Sequence, residues 1–455
     1  MITFKVHLTF RSGLNIKILK QLNKKTIPNK TNFIFVAVVL GLGWAMRGHF
    51  GHEWGASWAG VMGTLSVLLV SKRKDWALRA PALAALGAIG WGIGGMMSYG
   101  IVIGYCRSLS FVNSFYGYAM LAVIGGLYGF IGGGLFGLGL ESSKVNKPKW
   151  PKLIVEMFAG GFLVWGLLIY QMEWFMTPPR SELWAACFGA ALALSWFLYR
   201  NDFKRALRVA GYSALGAGFG FAFGNFIQTV GSSSEIQYNW WNVMEFTLGF
   251  FGGLGMTYAV LTREWPESVK PSKTGNWIAL IFLFAFIPAT NYFNGFSTES
   301  LVSFAEKLNI TNVAQYASRQ LLYAGISILV FVFLAIMIWK LYSSKDDKLV
   351  KSGLPAMLLI TSIHYNFFAY IKLGTFYKPY SFRHSESLYL FIVALILIIW
   401  YFGLRKTTDF PGKNTSDETW KRWGIILISL LIIFVIIAVV SINIHSELPG
   451  AHDRF

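Results

Sequence analysis

The stretch GGLYGFIGGGLFGLG, residues 125–139, has a glycine at every fourth position: Gly125, Gly129, Gly133 and Gly137. This spacing keeps the glycines on one face of an α-helix, and the other residues are apolar or aromatic. In membranes such a face lets a second helix backbone approach closely. A phosphate-binding glycine loop would need a preceding strand in a soluble βαβ unit. The stretch therefore predicts a tightly packed membrane-spanning helix.

The same spacing recurs further along the chain. GAGFGFAFG, residues 216–224, repeats the four-residue period, and Gly249 and Gly253 follow it. Most of the 47 glycines precede residue 262. These features predict a glycine-rich helical bundle in the first 261 residues and a different kind of packing after it.

Composition sets the class of protein. The 455 residues are 55% hydrophobic and 17% aromatic, and 13% are charged, whereas soluble domains carry about 25% charged residues. Apolar runs of roughly 17–25 residues, long enough to cross a bilayer, follow one another. Because backbone polar groups must be paired internally in lipid, these runs should be helices. The chain is predicted to be an all-α polytopic membrane protein.

We expect about thirteen transmembrane helices. The approximate spans are 32–48, 54–71, 80–103, 114–139, 153–172, 182–199, 209–229, 241–261, 276–294, 320–339, 354–372, 386–404 and 423–443.

The basic residues predict the orientation. With residues 1–31 as a basic cytoplasmic tail, 31 of the 40 Lys and Arg residues fall in cytoplasmic segments, as the positive-inside pattern requires. The C-terminus is then extracytoplasmic, and a bacterial inner (plasma) membrane is the expected location. The net charge of +19 is explained by topology and contact with anionic lipid. Nucleic-acid binding is not indicated, because the charge is spread over seven loops.

An internal duplication is indicated by two similar segments. When residues 53–88 are placed on 182–217, 13 of 36 positions are identical, including a glutamate and an arginine in a chain poor in charge. We predict two parallel four-helix repeats, 32–139 and 153–261, related by a pseudo-two-fold axis along the membrane normal. A five-helix C-terminal module, 276–443, follows without a detectable repeat.

The hairpin sequence MRGHFGHEWGASWAG, residues 46–60, concentrates ionisable groups: Arg47, His49, His52 and Glu53. Two crossings of roughly 20 residues use up the 40 residues from 32 to 71. The hairpin tip must therefore lie inside the protein near the outer interface. Ionisable groups at this depth are costly and usually face a polar cavity or one another. A structural alternative is an Arg47–Glu53 ion pair that ties the hairpin, with the histidines as interfacial anchors.

Other polar residues are predicted to gather on the same side. His364 lies in the middle of a predicted span, where it is either a satisfied core residue or part of a site. The predicted substrate-binding or proton-coupling residues are Arg47, His49, His52, Glu53, Arg180, Glu182, His364, Asn366, Arg383 and His384. Further polar points at the outer ends are Asn225, Gln228, Glu245, Asn291 and Asn294.

No metal or cofactor is predicted. His49 and His52 share a helix face beside Glu53, but zinc sites usually need three or four ligands, and HxxHE is not the metalloprotease motif HExxH. Cys106 and Cys187 form no disulfide or metal pattern. A GxSxG hydrolase elbow is missing from the sequence.

Three function classes remain open. The first is a permease for a small polar solute, for which the Arg, His and Glu cluster favours an anion or proton coupling. The second is a membrane-embedded glycosyl- or acyltransferase that acts on a lipid-linked substrate at the outer face, with His49, His52 or Glu53 as base. The third is a structural or assembly subunit. We favour the permease, because the sequence indicates repeats and no extramembrane domain.

Overall fold

The computed structural model describes residues 30–372 except 235, 237, 308 and 345, together with 389, 392–393, 395–400 and 420–455. In this part of the chain the regular structure is helical, and one isolated β-bridge joins Ser143 to Ser268. The predicted all-α polytopic membrane fold is confirmed. The tail 1–29, most of the predicted span 386–404, and Arg383 and His384 lie outside the described residues.

The helices have the following bounds in chain order. They are α1 Lys30–Arg47, α2 His52–Ser71, α3 Ala80–Gly95, α4 Gly100–Cys106, α5 Phe111–Glu141, α6 Trp150–Trp165, α7 Leu183–Arg200, α8 Lys204–Ser233, α9 Trp240–Leu261, α10 Lys273–Gly295, α11 Thr298–Lys307, α12 Val313–Ser343, α13 Asp347–Lys372 and α14 Trp420–Ile444. A single helical turn, Lys74–Ala77, joins α2 to α3, and a π-helical turn, Gly166–Gln171, extends α6.

Ten of the described helices are long and apolar enough to cross a membrane, or eleven if α3 and α4 form one broken span. Helix α8 is less apolar on average, but its 30 residues are packed along α5 and α9. The expected number of about thirteen therefore stays a prediction.

The predicted span 80–103 is broken in the structure. Helix α3 ends at Gly95, and α4 begins at Gly100 after a bend of 64°. Two consecutive glycines, Gly94 and Gly95, end α3, and glycine has a low helix propensity. The break places Tyr99 at the end of the bundle that holds Arg47.

Six helices form a closed ring. Each of α1, α2, α3, α5, α8 and α9 packs on the next in this order, and α9 returns to α1. The indole of Trp91, from α3, crosses the ring interior. It lies against Gly132 of α5 and Gly252 of α9, where an added Cβ would come within 2.7 Å and 3.2 Å of it. The ring is therefore filled by side chains rather than open along its axis.

The predicted glycine faces make the closest contacts in this ring. A Cβ at Gly129 would lie 2.2 Å from the Ser213 carbonyl oxygen of α8, and one at Gly216 would lie 2.1 Å from the Phe251 oxygen of α9. Distances this short leave no space for a side chain. The glycines at these two positions are therefore needed for the backbones to approach.

The remaining helices surround the ring. The α6–α7 hairpin lies outside it, and α6 exposes apolar side chains such as Phe158 and Phe162. Helices α10 and α13 pack on α3 and α2 respectively, α12 packs on α10 and α13, and α14 packs on α5 and α8. The ring thus combines four helices of the first predicted repeat with two of the second.

The two arginines matched by the duplication have similar roles. Arg79 donates to the Gly139 carbonyl oxygen at 3.1 Å, and Arg208 donates to the Ala259 oxygen at 2.5 Å. Each therefore binds a carbonyl near the C-terminal end of the last helix in its own block, where unpaired carbonyls favour cations. Superposition of the two blocks stays a prediction.

Hydrogen bonds between loops stabilise the end of the bundle that is predicted to be cytoplasmic. Arg73 donates to the Asp75 carboxylate at 2.9 Å, and the Ser268 backbone N–H donates to it at 3.0 Å. Burial alone would raise the pKa of Asp75, but these hydrogen bonds outweigh it and hold the pKa below its ordinary value. The loops after α2 and α9 are thereby joined.

The charge pattern predicts that the C-terminus faces the extracytoplasmic side. Alkaline phosphatase fused after Phe455 should therefore be active in bacterial cells, whereas a fluorescent protein that folds only in the cytoplasm should stay dark there. The opposite pair of results would refute the orientation. A phosphatase fused after Lys270, in the loop between α9 and α10, is the matched control and should be inactive.

Candidate functional site at the Arg47 hairpin

A short turn joins α1 to α2 at the candidate site. Helix α1 ends at Arg47, a 3₁₀ turn covers Gly48–Phe50, and α2 starts at His52. Gly51 has φ +85°, which a residue with a side chain rarely adopts. The turn is so tight that a Cβ on Gly55 would lie 2.3 Å from the Arg47 carbonyl oxygen. The turn is therefore closely packed on the end of α1.

Arg47 is buried at the centre of this end of the ring, with 1% of its surface exposed. Its Nη2 donates to Glu245 Oε1 at 3.1 Å and to the Tyr99 hydroxyl. Its Nη1 donates to the His52 carbonyl oxygen at 3.3 Å. The alternative of an Arg47–Glu53 ion pair is wrong, because α9 packs on α1 and supplies Glu245 as the carboxylate partner.

The Glu245 carboxylate is bound unevenly. Oε1 accepts from Arg47, from the Tyr99 hydroxyl at 2.7 Å and from Trp241 Nε1 at 3.1 Å. Oε2 is buried and has no hydrogen-bond partner among the described residues. One oxygen of the carboxylate is therefore saturated with donors, while the other is not.

Aromatic rings form the floor beneath the guanidinium. The Arg47 Cζ lies 4.8 Å from the ring centroid of Trp44 and 5.9 Å from that of Tyr128. Trp44 contacts Tyr128 edge-on at 4.8 Å and Trp91 at 5.6 Å. Cation–π attraction stabilises a cation over such faces. Trp44, Trp91 and Tyr128 therefore form an aromatic floor that closes the ring interior below the ion pair.

Several polar atoms of this cluster have no hydrogen-bond partner among the described residues. Arg47 Nε and the Tyr128 hydroxyl, like Glu245 Oε2, are buried without a hydrogen-bond partner in the described part of the chain. A buried ion pair is seldom worth its desolvation for stability alone, and unpaired polar atoms add to that cost. A charged pair with unpartnered donors and acceptors inside a membrane bundle makes Arg47 and Glu245 the candidate functional site.

The residues around the ion pair on its exposed side, here called the rim, are accessible. Gly48 and His52 are exposed, and His49 and Glu53 are half-buried. Arg180, from the loop before α7, is exposed and lies within electrostatic range of His52. Four predicted residues, His49, His52, Glu53 and Arg180, thus lie around the exposed side of Arg47.

The C-terminal module also contributes to this rim, but through residues that we did not predict. Lys372 Nζ donates to the His49 carbonyl oxygen. The Tyr389 hydroxyl donates to the Ala45 oxygen at 3.2 Å and accepts from Asn242 Nδ2 at 2.5 Å. Arg383 and His384, which we expected on this wall, lie outside the described residues.

His364 lies away from the hairpin, between α12 and α13. Its Nδ1 is 3.1 Å from Ser327 Oγ, and its ring stacks on Phe331 at 4.0 Å. His364, Ser327 and Phe331 all line an apolar cavity of about 340 Å³. Asn366 is buried, and its amide atoms have no partner among the described residues. Neither residue makes a described hydrogen bond to the Arg47 cluster.

Glu182 has a local structural role. Its two carboxylate oxygens accept from the Met176 and Thr177 backbone N–H groups, each at 2.8 Å, and from Trp184 Nε1 at 2.7 Å. These bonds hold the loop between α6 and α7. Glu182 is thus buried in its loop, whereas Glu53, its match in the predicted duplication, is half-buried at the rim.

Sequence reasoning did not select Glu245, Tyr99 and Trp241 as site residues. Glu245 carried a usable signal, because it is a lone carboxylate inside an apolar span and such residues are expensive. Tyr99 and Trp241 carried none, since aromatic residues are abundant throughout this chain. In the described part of the chain, no three His, Cys, Asp or Glu side chains are grouped so that they could hold a metal ion.

Of the remaining polar positions noted at the outer ends, Asn225, Gln228 and Asn291 are buried, whereas Asn294 is exposed. Asn225 and Gln228 lie on α8, and Asn291 on α10. Asn291 Nδ2 lies at the limit of hydrogen bonding, 3.5 Å from the Trp54 oxygen. Comparisons with protein-family models, with curated proteins and with solved structures find no match for this chain, so its function is argued from the site itself.

Proposed function

We propose that the protein is a permease for a small anionic solute, with Arg47 as the binding cation. The observation that carries the proposal is the buried Arg47–Glu245 pair, whose remaining polar atoms, Arg47 Nε and Glu245 Oε2, have no described partner. Arginine presents several donors in a fixed plane and suits carboxylates and other oxyanions. The location we propose is a bacterial inner membrane, with the rim at the extracytoplasmic side.

The arrangement of the ring supports transport. The site lies at one end of six closely packed helices, and the exposed positions, Gly48 and His52, lie next to it. Below it, Trp44, Trp91 and Tyr128 close the interior. A solute reaching Arg47 from the rim would therefore be held above a closed aromatic floor, which suits an outward-facing state in alternating access. Glycine faces allow helices to move against one another without displacing side chains.

A lipid-modifying transferase is the second candidate, because side chains of α3, α6 and α7 line an apolar cavity of about 450 Å³. It is lined by Met96 of the break after α3 and by side chains of α6 and α7, including Cys187. Gly95 packs directly on the His52 oxygen and on Glu53 Cα. An acyl or isoprenoid chain in this cavity could bring a lipid-linked group to His52 or Glu53, either of which could act as a base.

Counterflow in proteoliposomes separates the two candidates. Vesicles preloaded with one unlabelled anion from a panel of monocarboxylates, dicarboxylates, phosphate and sulfate receive the same anion in labelled form outside. A permease should accumulate label transiently for at least one anion, and protein-free vesicles should not. Absence of counterflow across the panel, together with covalent change in added lipid-linked sugars or acyl donors seen by mass spectrometry, would favour the transferase and contradict the permease.

A further inference from the structure

We propose that Glu245 is the proton-binding group of this site and that the anion enters together with one proton, so that transport is electroneutral symport. This inference rests on the permease proposal, and it adds the coupling ion and the stoichiometry to it.

The two states of the site differ by a simple charge balance. Without solute, Arg47 and Glu245 neutralise each other across 3.1 Å. An anion that joined this pair would leave one uncompensated negative charge in the membrane interior, which is strongly disfavoured. A proton bound to Glu245 removes the carboxylate charge and releases Arg47 to pair with the anion. One proton and one monovalent anion therefore enter together, and the site stays neutral in both states.

The geometry of Glu245 identifies the oxygen that takes the proton. Oε1 already accepts three hydrogen bonds, from Arg47, Tyr99 and Trp241, whereas Oε2 is buried and accepts none from the described residues. Most buried polar atoms have at least one hydrogen-bond partner, so Oε2 is the carboxylate oxygen that is open to a proton. The protonated carboxyl has its O–H at Oε2 and keeps an acceptor at Oε1. The hydrogen bonds from Tyr99 and Trp241 to Oε1 therefore suit the neutral form as well as the charged one.

Gly48 provides the approach to this oxygen. It is exposed, and a Cβ placed on it would lie 3.5 Å from Glu245 Oε2 and 3.9 Å from Oε1. The exposed backbone of Gly48 therefore lies next to the buried Oε2. His52 is exposed beside it and has its Nδ1 3.5 Å from Arg47 Nη1. Water can thus bring a proton to Oε2 past Gly48, with His52 as the nearest titratable side chain at the rim.

In the described part of the chain, the titratable and charged groups that surround Glu245 come from several helices. Arg47 comes from α1 and His52 from α2, Tyr99 lies in the break after α3, Tyr128 is on α5 and Tyr365 is on α13. Gly224 of α8 packs on the Met244 oxygen, so that helix presents uncharged Phe221 and Asn225 near this level. Glu245 is the carboxylate that touches Arg47, and Glu53 at the rim is the neighbouring one.

The test is the ratio of proton-gradient-driven uptake to counterflow, measured in proteoliposomes with the anion that wild type exchanges. Wild type should accumulate this anion when the outside is made acidic, without generating current. Glu245→Gln mimics the neutral acid and should lose the stimulation by the gradient, whatever its absolute rate. Gly48→Ala should reduce the stimulated component about tenfold, within the usual range of coupling between sites. Its methyl group fits at ordinary contact distance and covers Oε2.

Gly100→Ala is the matched control, since it changes an exposed glycine at the start of α4 that has open space around it. It should keep the wild-type ratio. If wild type shows counterflow that does not respond to the gradient, or if Glu245→Gln and Gly48→Ala both keep the full ratio, proton symport is refuted while the permease proposal stands. If wild type exchanges no anion at all, the permease proposal itself fails.

Discussion

Replacing Arg47 by glutamine is expected to abolish anion counterflow and to destabilise the protein by about 3–5 kcal/mol, the usual cost of leaving one partner of a buried ion pair alone. The reason is the 1% exposure of Arg47 and its contact with Glu245 at 3.1 Å. In the variant, Glu245 would remain buried with the Tyr99 and Trp241 donors but without a countercharge. Thermal unfolding in detergent measures the loss of stability, and counterflow measures the loss of function.

A double variant separates the two effects. Arg47→Gln combined with Glu245→Gln removes both charges, so that much of the stability should return because no lone charge remains. Counterflow should still be absent, since no cation is left to bind the anion. Counterflow at the wild-type rate in the double variant, once its stability is shown to be restored, would contradict the assignment of Arg47 as the binding cation.

Arg200→Gln is the control for the loss of an arginine. Arg200 lies at the opposite end of the bundle and pairs with Glu156 at 2.7 Å, and both side chains are partly exposed. Exposed pairs of this kind contribute about 0–1 kcal/mol. The control should therefore keep the wild-type stability within that range and the wild-type counterflow. An equal loss in the control and in Arg47→Gln would show that the assay responds to any missing cation.

The second large effect is expected from Gly129→Ala in the α5–α8 contact. An added Cβ would lie 2.2 Å from the Ser213 carbonyl oxygen and 2.9 Å from the Ala214 backbone nitrogen. Backbone atoms cannot rotate away as a side chain can, so the two helices must separate. Overpacking typically costs about 1–3 kcal/mol, and a clash with backbone places this variant at or above the upper end. The expected result is a lower unfolding temperature and a lower yield of folded protein.

Gly126→Ala is a matched control on the same helix, three residues earlier. Its Cβ would lie 3.8 Å from the Ala214 oxygen, which is an ordinary contact. Because alanine is favoured over glycine inside helices by roughly 0.5–1 kcal/mol, this variant should be neutral or slightly stabilising. Equal unfolding temperatures for the two variants would show that α5 and α8 do not approach as closely as the structure has them.

The contrast between Gly126 and Gly129 shows how far the sequence could predict the packing. The four-residue spacing of Gly125, Gly129, Gly133 and Gly137 identified the face that contacts α8. It could not identify the partner helix, since other segments carry similar glycine faces. The partner follows from the ring, in which α8 lies between α5 and α9.

The candidate site shows the same division between sequence and structure. The burial of Arg47 at a helix hairpin follows from the sequence, because two crossings leave too few residues for an exposed loop and a charge at membrane depth is costly. Its ion-pair partner does not follow from the sequence. Glu53, six residues away, was the obvious candidate, whereas the structure pairs Arg47 with Glu245, 198 residues away.

The physical reason is that some properties depend only on residues close together in the chain, whereas others depend on which helices pack on each other. Hydrophobic length, charge asymmetry and glycine period are local properties of the chain, and they determine membrane class, helix type and the face that packs. Which carboxylate reaches a buried guanidinium depends on which helices are neighbours and at what height. The packing of α1 on α9 brings Glu245 to Arg47. The break after α3 places Tyr99 where it hydrogen-bonds to both residues.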